Sequence, residues 1–155
     1  MELKKDKFLE VNAIKNGTVI DHIPVKSLFK VISILGLDKI DKTITFGINL
    51  ESKKLGKKAI IKLSDVFFKD EDINKIALVA PQAKLNIILD YHVVEKRIVE
   101  VPDEIIGIVR CINPACITNA EKIVTKFYVM KKDSIKLKCH YCEKVINQEN
   151  IVIIQ

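Results

Sequence analysis

Tryptophan is absent from this chain, and aromatic residues make up only 6% of its 155 positions. Stacking platforms for single-stranded nucleic acid are therefore scarce. Arginine occurs only at Arg97 and Arg110, so lysine carries almost all of a formal charge of +6. Sequence-reading DNA contacts rest mainly on arginine forks, which weakens that reading. Basicity of this size still suits a phosphorylated small molecule, a nucleic acid or an acidic partner. Five glycines, with no Walker loop and no G-x-G-x-x-G, leave little to cradle a phosphate with backbone alone. A nucleotide would have to be held by side chains and sheet backbone, which favours nucleotide sensing over hydrolysis. No apolar run approaches the roughly 20 residues that cross a bilayer. The opening Met1 to Lys7 is polar and lacks the apolar core of a secretion signal. The chain reads as soluble and cytoplasmic, without a membrane partner. Cysteine is missing from the first 110 residues and then appears at Cys111, Cys116, Cys139 and Cys142.

What is present is a globular composition, 48% hydrophobic and 30% charged. Residues 1–100 read as one domain. Phe8 to Ile14 and Thr18 to Ile23 are β-rich runs separated by the turn dipeptide Asn16-Gly17. Between Lys26 and Leu35, the positions Leu28, Val31, Ile32 and Leu35 form a helical stripe that Gly36 closes. Thr43 to Leu50 alternates with strand period, and Lys58 to Leu63 follows as another strand. The acids Asp70-Glu71-Asp72 suit the positive first turn of a helix that runs to Pro81. A long strand is expected from Leu85 to Val94, and Arg97 to Glu104 reads as a linker around Pro102. The order β-α-β-β-α-β implies an α+β protein with a ferredoxin-like N-terminal domain, its two helices on one face of the sheet.

Residues 101–155 form a second, small antiparallel β domain, with short runs at Ile105 to Arg110, Ile123 to Met130, Ile135 to Lys138 and Ile151 to Ile154. About fifty residues cannot rely on a hydrophobic core alone. The pattern Cys111-x4-Cys116, a hairpin-length spacer, then Cys139-x2-Cys142 provides two knuckles. Folded together they offer four thiolates in the tetrahedral set that Zn2+ accepts. The plainer reading is four reduced, buried thiols. A redox site at Cys139-His140-Tyr141-Cys142 would leave the other pair unexplained. His140 is an alternative ligand, although a histidine inside a knuckle more often points outward. Four thiolates leave no position for water, so the metal would be structural and not catalytic.

Period two places Lys58, Ile60 and Lys62 on one strand face, where two ammonium groups flank an aliphatic platform. On spacing alone, a solvated charged face explains them better than a polyphosphate site does. Asp21-His22 lies at a strand end with no nucleophile placed to make a triad.

The run Val11-Asn12-Ala13-Ile14-Lys15-Asn16-Gly17-Thr18-Val19-Ile20-Asp21-His22-Ile23-Pro24, the later Gly56-Lys57-Lys58 with Ile61-Lys62, and Ala80-Pro81-Gln82-Ala83 with Asn86 carry a family resemblance. Tyr91, Val93-Val94, Lys96 and the Cys-x4-Cys, Cys-x2-Cys-Glu-Lys pattern add to it. The chain resembles the regulatory chain of aspartate carbamoyltransferase over nearly its whole length. That resemblance implies a non-catalytic subunit that binds the allosteric nucleotides CTP and ATP, with UTP a further candidate, and tunes a separate catalytic chain in de novo pyrimidine biosynthesis. It places Asp21 at the ribose, His22 and Lys96 near the phosphates, and Lys58 and Lys62 around both. Val11, Asn12, Ala13, Ile14, Val19, Asn86, Tyr91 and Val93 would line the base pocket and its surroundings. One structural zinc per chain, a regulatory homodimer paired through the N-terminal sheets, and a dodecamer of two catalytic trimers and three regulatory dimers are implied too. Asn12 departs from the glutamate of well-studied members, which bears on base preference. Ala115 replaces an interface asparagine of those members, while Asn113 is kept. The contrasting expectation is a zinc-ribbon nucleic-acid binder; under the resemblance, no nucleic acid is expected.

Overall fold

The computed structural model describes residues 11–154. The first half runs β1 (Gly17–Pro24), α1 (Leu28–Ile34), β2 (Ile44–Ser52), β3 (Gly56–Ser64), α2 (Asp70–Ile76), β4 (Lys84–Leu89) and β5 (His92–Ile98). The five strands form one sheet in the order β2-β3-β1-β4-β5, with every neighbouring pair antiparallel. Its first four strands and two helices make the split βαβ arrangement read from the sequence, and β5 extends it.

Alternation divides the sheet cleanly. Ile20 and Ile23 from β1, Ala59, Ile61 and Leu63 from β3, and Leu85 from β4 are fully buried. They share a core with Leu28 and Val31 of α1 and with Ile73, Ile76 and Ala77. Each such aliphatic side chain contributes roughly 1.5–3 kcal/mol through burial. The intervening Lys58, Ile60 and Lys62 are half-buried on the opposite, open face.

Several boundaries differ from the sequence reading. Residues 8–10 of the expected first strand lie outside the described residues, and residues 11–14 are not strand. The carbonyls of Val11 and Asn12 bond to the Lys62 ammonium instead of joining a ladder, at 2.8 and 3.0 Å. A 3-10 turn over Val25–Ser27 delays the start of α1, and Gly36, at φ +61, ends it. Helix α2 stops at Ile76, and its last residues tighten into shorter bonds such as Leu78 N to Lys75 O. The long strand expected over Leu85 to Val94 is a hairpin, reversed at Asp90 (φ 50) and Tyr91 (φ 66). Strand β5 therefore takes Arg97 and Ile98 from the presumed linker.

The second half comprises β6 (Glu104–Ile106), β7 (Val109–Arg110), α3 (Ile117–Ala120), β8 (Lys126–Lys131), β9 (Lys136–Cys139), β10 (Val145–Asn147) and β11 (Val152–Ile153). A four-stranded sheet runs β10-β9-β8-β6, and β11 pairs with β7. Gly107, at φ +72, splits the run from Ile105 to Arg110 into two strands. The buried cluster is continuous with that of the first half, taking in Ile105, Val109, Phe127, Leu137, Ile146 and Ile151. A hydrogen bond joins the halves beside it, the Gln148 amide donating to Leu78 O at 3.4 Å. Within the first half, the Glu100 N–H donates to Asn74 Oδ1 at 3.2 Å. No helix among the described residues is long and apolar enough to cross a membrane.

Gly17 opens β1 at φ +141, and a Cβ there would collide with the Leu63 carbonyl oxygen of β3. The obstacle is backbone, so it cannot rotate aside. Gly17→Ala should cost about 2 kcal/mol or more, lowering the melting temperature by roughly 4–8 °C. Gly47→Ala, which would meet only the side-chain ends of Val11 and Leu50, should move the melt far less. Equal melts for the two variants would contradict this account.

Candidate metal centre and effector site

The four cysteines converge although 31 positions separate the first from the last. Their sulfur atoms all lie within 4.8 Å of one another. The closest approaches cross between knuckles, with Cys111 Sγ to Cys142 Sγ at 3.6 Å and Cys116 Sγ to Cys139 Sγ at 3.8 Å. A disulfide would bring sulfurs to about 2.05 Å. A tetrahedral zinc with Zn–S near 2.3 Å sets neighbouring sulfurs about 3.8 Å apart. The observed spacing therefore fits the metal and not the bridge.

Local backbone bonding shapes each knuckle. In the first, the Cys116 N–H donates to Asn113 O at 3.0 Å. The Asn119 amide spans the loop, donating to both Cys111 O and Asn113 O at 2.8 Å. In the second, Glu143 adopts φ 62, so that its N–H meets Cys139 O at 2.9 Å while the Cys139 N–H meets Lys144 O at 3.0 Å. The register Phe127–Cys139 between β8 and β9 fixes this knuckle in the sheet. His140 stands outside the cluster, its Nδ1 bonded 2.7 Å from the Tyr128 hydroxyl.

Without metal, the site cannot ionise evenly. Burial, followed by crowding from the other sulfurs, pushes Cys111 up to about 12 despite the Asn113 N–H. Burial also raises Cys139. Burial opposes ionisation of Cys142, but the Asn113 side chain, the Lys144 N–H and the neighbouring thiols outweigh it and bring Cys142 to about 6. Cys116 is lowered against its own burial by Thr118, whose Oγ1 lies 3.2 Å from the sulfur. Like charges at this separation repel, so only a cation among them allows all four to be thiolates.

Asn119 and Thr118 escaped the sequence reading because their roles depend on loop geometry. No spacing rule marks them. The Ala115 N–H donates to Asn113 Oδ1 at 3.0 Å.

The second candidate site is the open face of the five-stranded sheet. Lys62, Val19, Asn86 and Lys96 are successive cross-strand neighbours on β3, β1, β4 and β5, making one rank across the sheet. Directly opposed residues of antiparallel strands project on the same side. Toward one end, Ile88 opposes Val93, and Tyr91 stands exposed at the hairpin tip. The Tyr91 N–H bonds to Lys15 O at 2.9 Å. Toward the other end lie Asp21 and Lys58. The face is thus apolar at one end and cationic at the other.

At the cationic end, Asp21 Oδ1 accepts the His22 N–H at 2.7 Å and stands 2.8 Å from Lys58 Nζ. The β1–β3 register shifts between Ile20 and Ile23, and His22 takes φ 59 within that bulge. A histidine in the left-handed region is uncommon and marks a functional candidate. Its Nδ1 is buried without a hydrogen-bond partner among the described residues, and lies 3.6 Å from Asp21 Oδ2. That is too long for a hydrogen bond. Lys62 is shifted below the usual lysine range by burial, with Asp21 opposing the shift. Val11 and Asn12 pass over Lys62, and Ala13 and Ile14 continue toward Gly17. Eleven of the thirteen residues expected at a nucleotide fall on or beside this face, Asn12, Tyr91, Val93 and Lys96 among them being exposed, while Ala13 and Ile14 lie in the segment that leads into β1.

Comparison with known proteins gives the same two-part division. Residues 9–100 match the family model described as aspartate carbamoyltransferase regulatory chain, allosteric domain. Residues 103–152 match that described as aspartate carbamoyltransferase regulatory chain, metal binding domain. A Bacteroides fragilis protein named aspartate carbamoyltransferase regulatory chain is 60% identical over 146 residues, covering 94% of this chain and 95% of its own. The Parabacteroides distasonis protein of that name is 54% identical and covers 99% of both chains. One from Pyrococcus horikoshii is 53% identical, covering 93% of this chain and 96% of its own. The chain belongs to the aspartate carbamoyltransferase regulatory chain family, as a regulatory and not a catalytic subunit, and carries both its allosteric and its metal-binding parts.

Proposed function

We propose that this chain senses CTP and ATP, with UTP a further ligand, on the open sheet face and tunes its catalytic partner in de novo pyrimidine biosynthesis. The observation that carries the reading is the rank Lys62–Val19–Asn86–Lys96 lying beside the strained Asp21–His22–Lys58 group. The base would sit at the apolar end among Val11, Asn12, Ala13, Ile14, Val19, Asn86, Tyr91 and Val93. The ribose would meet Asp21, and the phosphates would meet His22, Lys58, Lys62 and Lys96. Asp21 already holds Lys58, so a phosphate approaching that lysine meets an ammonium fixed in place.

A nucleotide shifts a regulatory equilibrium only through unequal affinity for its two states, with typical couplings of about 1–3 kcal/mol. CTP would favour the less active arrangement and ATP the more active one. Residues 1–100 would form the nucleotide-binding part and residues 101–155 the zinc-binding part that contacts the catalytic chain. The assembly would be cytoplasmic, pairing regulatory chains through their N-terminal sheets and bridging two catalytic trimers with three regulatory dimers.

Zinc is the metal that the donor set fits, through Cys111, Cys116, Cys139 and Cys142. When bound, it supplies charge neutralisation and closure of the hairpin, with binding of about 10–16 kcal/mol in comparable small sites.

Calorimetric titration of the zinc-loaded chain should show saturable CTP and ATP binding at about one nucleotide per chain. Lys62→Ala should weaken CTP about tenfold, the size of one hydrogen bond to a charged group, with zinc content unchanged. Normal CTP affinity in that variant would remove Lys62 from the site. Steeply salt-dependent binding of long RNA without nucleotide binding would favour the nucleic-acid reading.

Stripping the metal with a chelator, or Cys139→Ser, should abolish amide protection in β8, β9 and β10 and prevent association with the catalytic chain. Metal uptake by the stripped protein should release protons, because Cys111 must lose its own. A chelated protein that kept its protection would overturn the structural role. Sedimentation of the mixed subunits should reveal a complex much larger than either part.

A further inference from the structure

The open sheet face carries one more cation, Lys84, at the start of β4. It is the cross-strand neighbour of Asp21 on β1 and of Ile98 on β5. It precedes Asn86 by two positions, and strand alternation puts both on the same side. Lys84 is exposed and forms no ion pair among the described residues. The nearby carboxylate is already committed, with Lys58 Nζ 2.8 Å from Asp21 Oδ1.

Its position is more informative than its charge. Lys96 is the partner of Asn86, whereas Ile98 is the partner of Lys84, so Lys84 and Lys96 are diagonal neighbours roughly 7–8 Å apart. On the other side, Lys84 abuts the strand that carries Asp21 and His22, beyond which lies Lys58 on β3. Lys96, Lys84 and Lys58 therefore descend obliquely across the sheet, and Lys84 occupies the middle. A phosphate chain reaching from His22 and Lys58 toward Lys96 would have to pass over it.

We propose that Lys84 is a further phosphate-contacting residue of the effector site, and that it determines selectivity for the number of phosphates. The inference rests on the nucleotide reading above and extends it to a residue outside that assignment. With His22, Lys58 and Lys96 at its ends, the cationic track suits a triphosphate. A monophosphate held at one end would leave Lys84 in water.

The test is calorimetric titration of the full-length, metal-loaded chain with CTP, CDP and CMP. Lys84→Gln should weaken CTP about tenfold and CMP less than about twofold, and Lys84→Arg should restore most of the loss. Unchanged CTP affinity in Lys84→Gln, with Lys62→Ala still defective, would overturn the role of Lys84 and leave the effector site standing. Equal weakening of CTP and CMP would also overturn it, because that pattern marks general damage to the strand. Failure of the unmodified chain to bind any of the three would overturn the effector site itself, and this inference with it.

Discussion

The convergence of four sulfurs within 4.8 Å is the constraint on which the second half of the molecule rests. Its strands are short, and two of them are only two residues long. Such pieces bury too little to offset their own ordering. The thiols by themselves make matters worse, since burial and mutual repulsion resist their ionisation. A divalent cation reverses the sign of that interaction. The sulfurs then tie the loop before α3 to the end of β9, and the sheet is closed by coordination where a larger domain would use apolar area. Asn119 matters for the same reason, because it holds the Cys111 and Asn113 carbonyls together and so presets the first knuckle.

The first half solves a different problem. Strand period two lets one sequence serve two solvents, with Ile61 and Leu63 facing the helices while Lys58 and Lys62 face outward. The bulge in β1 interrupts this rule beside Asp21. By inserting His22 at φ 59, it presents a backbone N–H to Asp21 and fixes the carboxylate that holds Lys58. A regular strand would have turned His22 to the face opposite Asp21. His22 and its left-handed backbone sit at the cationic end of the face, where a ligand with a base at one end and phosphates at the other would place its phosphates.

Legibility followed the strength of the underlying chemistry. Cysteine spacing was readable because two close pairs of thiols have few alternatives to a shared metal in a small β domain. The strands β2 and β3 were readable because alternation is a simple consequence of the pleat. The hairpin between β4 and β5 was not, since seven of the ten residues from Leu85 to Val94 are apolar and the reversal uses Asp90 and Tyr91 without a glycine. Residues 11–14 looked like strand by composition, yet the carbonyls of Val11 and Asn12 are taken by a lysine side chain, which no local pattern reveals. Strand β10 is a three-residue piece that exists only because the second knuckle turns the chain back onto β9. The cation rank on the open face required register, and register is a tertiary property.

The two halves are joined through the helix side of the sheet and not through its open face. Val31 and Ile76 from the helices share a buried cluster with Val109, Ile146 and Ile151, and Gln148 adds a hydrogen bond to Leu78 O. A ligand on the open face is therefore separated from the metal domain by the sheet and the layer of helices. Direct contact cannot carry its influence. What remains is displacement of whole strands, because a close-packed interior transmits shifts and does not absorb them. Drawing Lys62 and Lys96 toward a common ligand would pull on β3 and β5, which flank the central pair β1 and β4. Helix α2 connects β3 to β4, and Leu78 lies in the loop between α2 and β4, so a movement of those strands arrives at the Gln148 contact. The same geometry would let both functions reside in one chain: the sheet would read a ligand on one side and hold, on the other, the helices against which the metal domain packs.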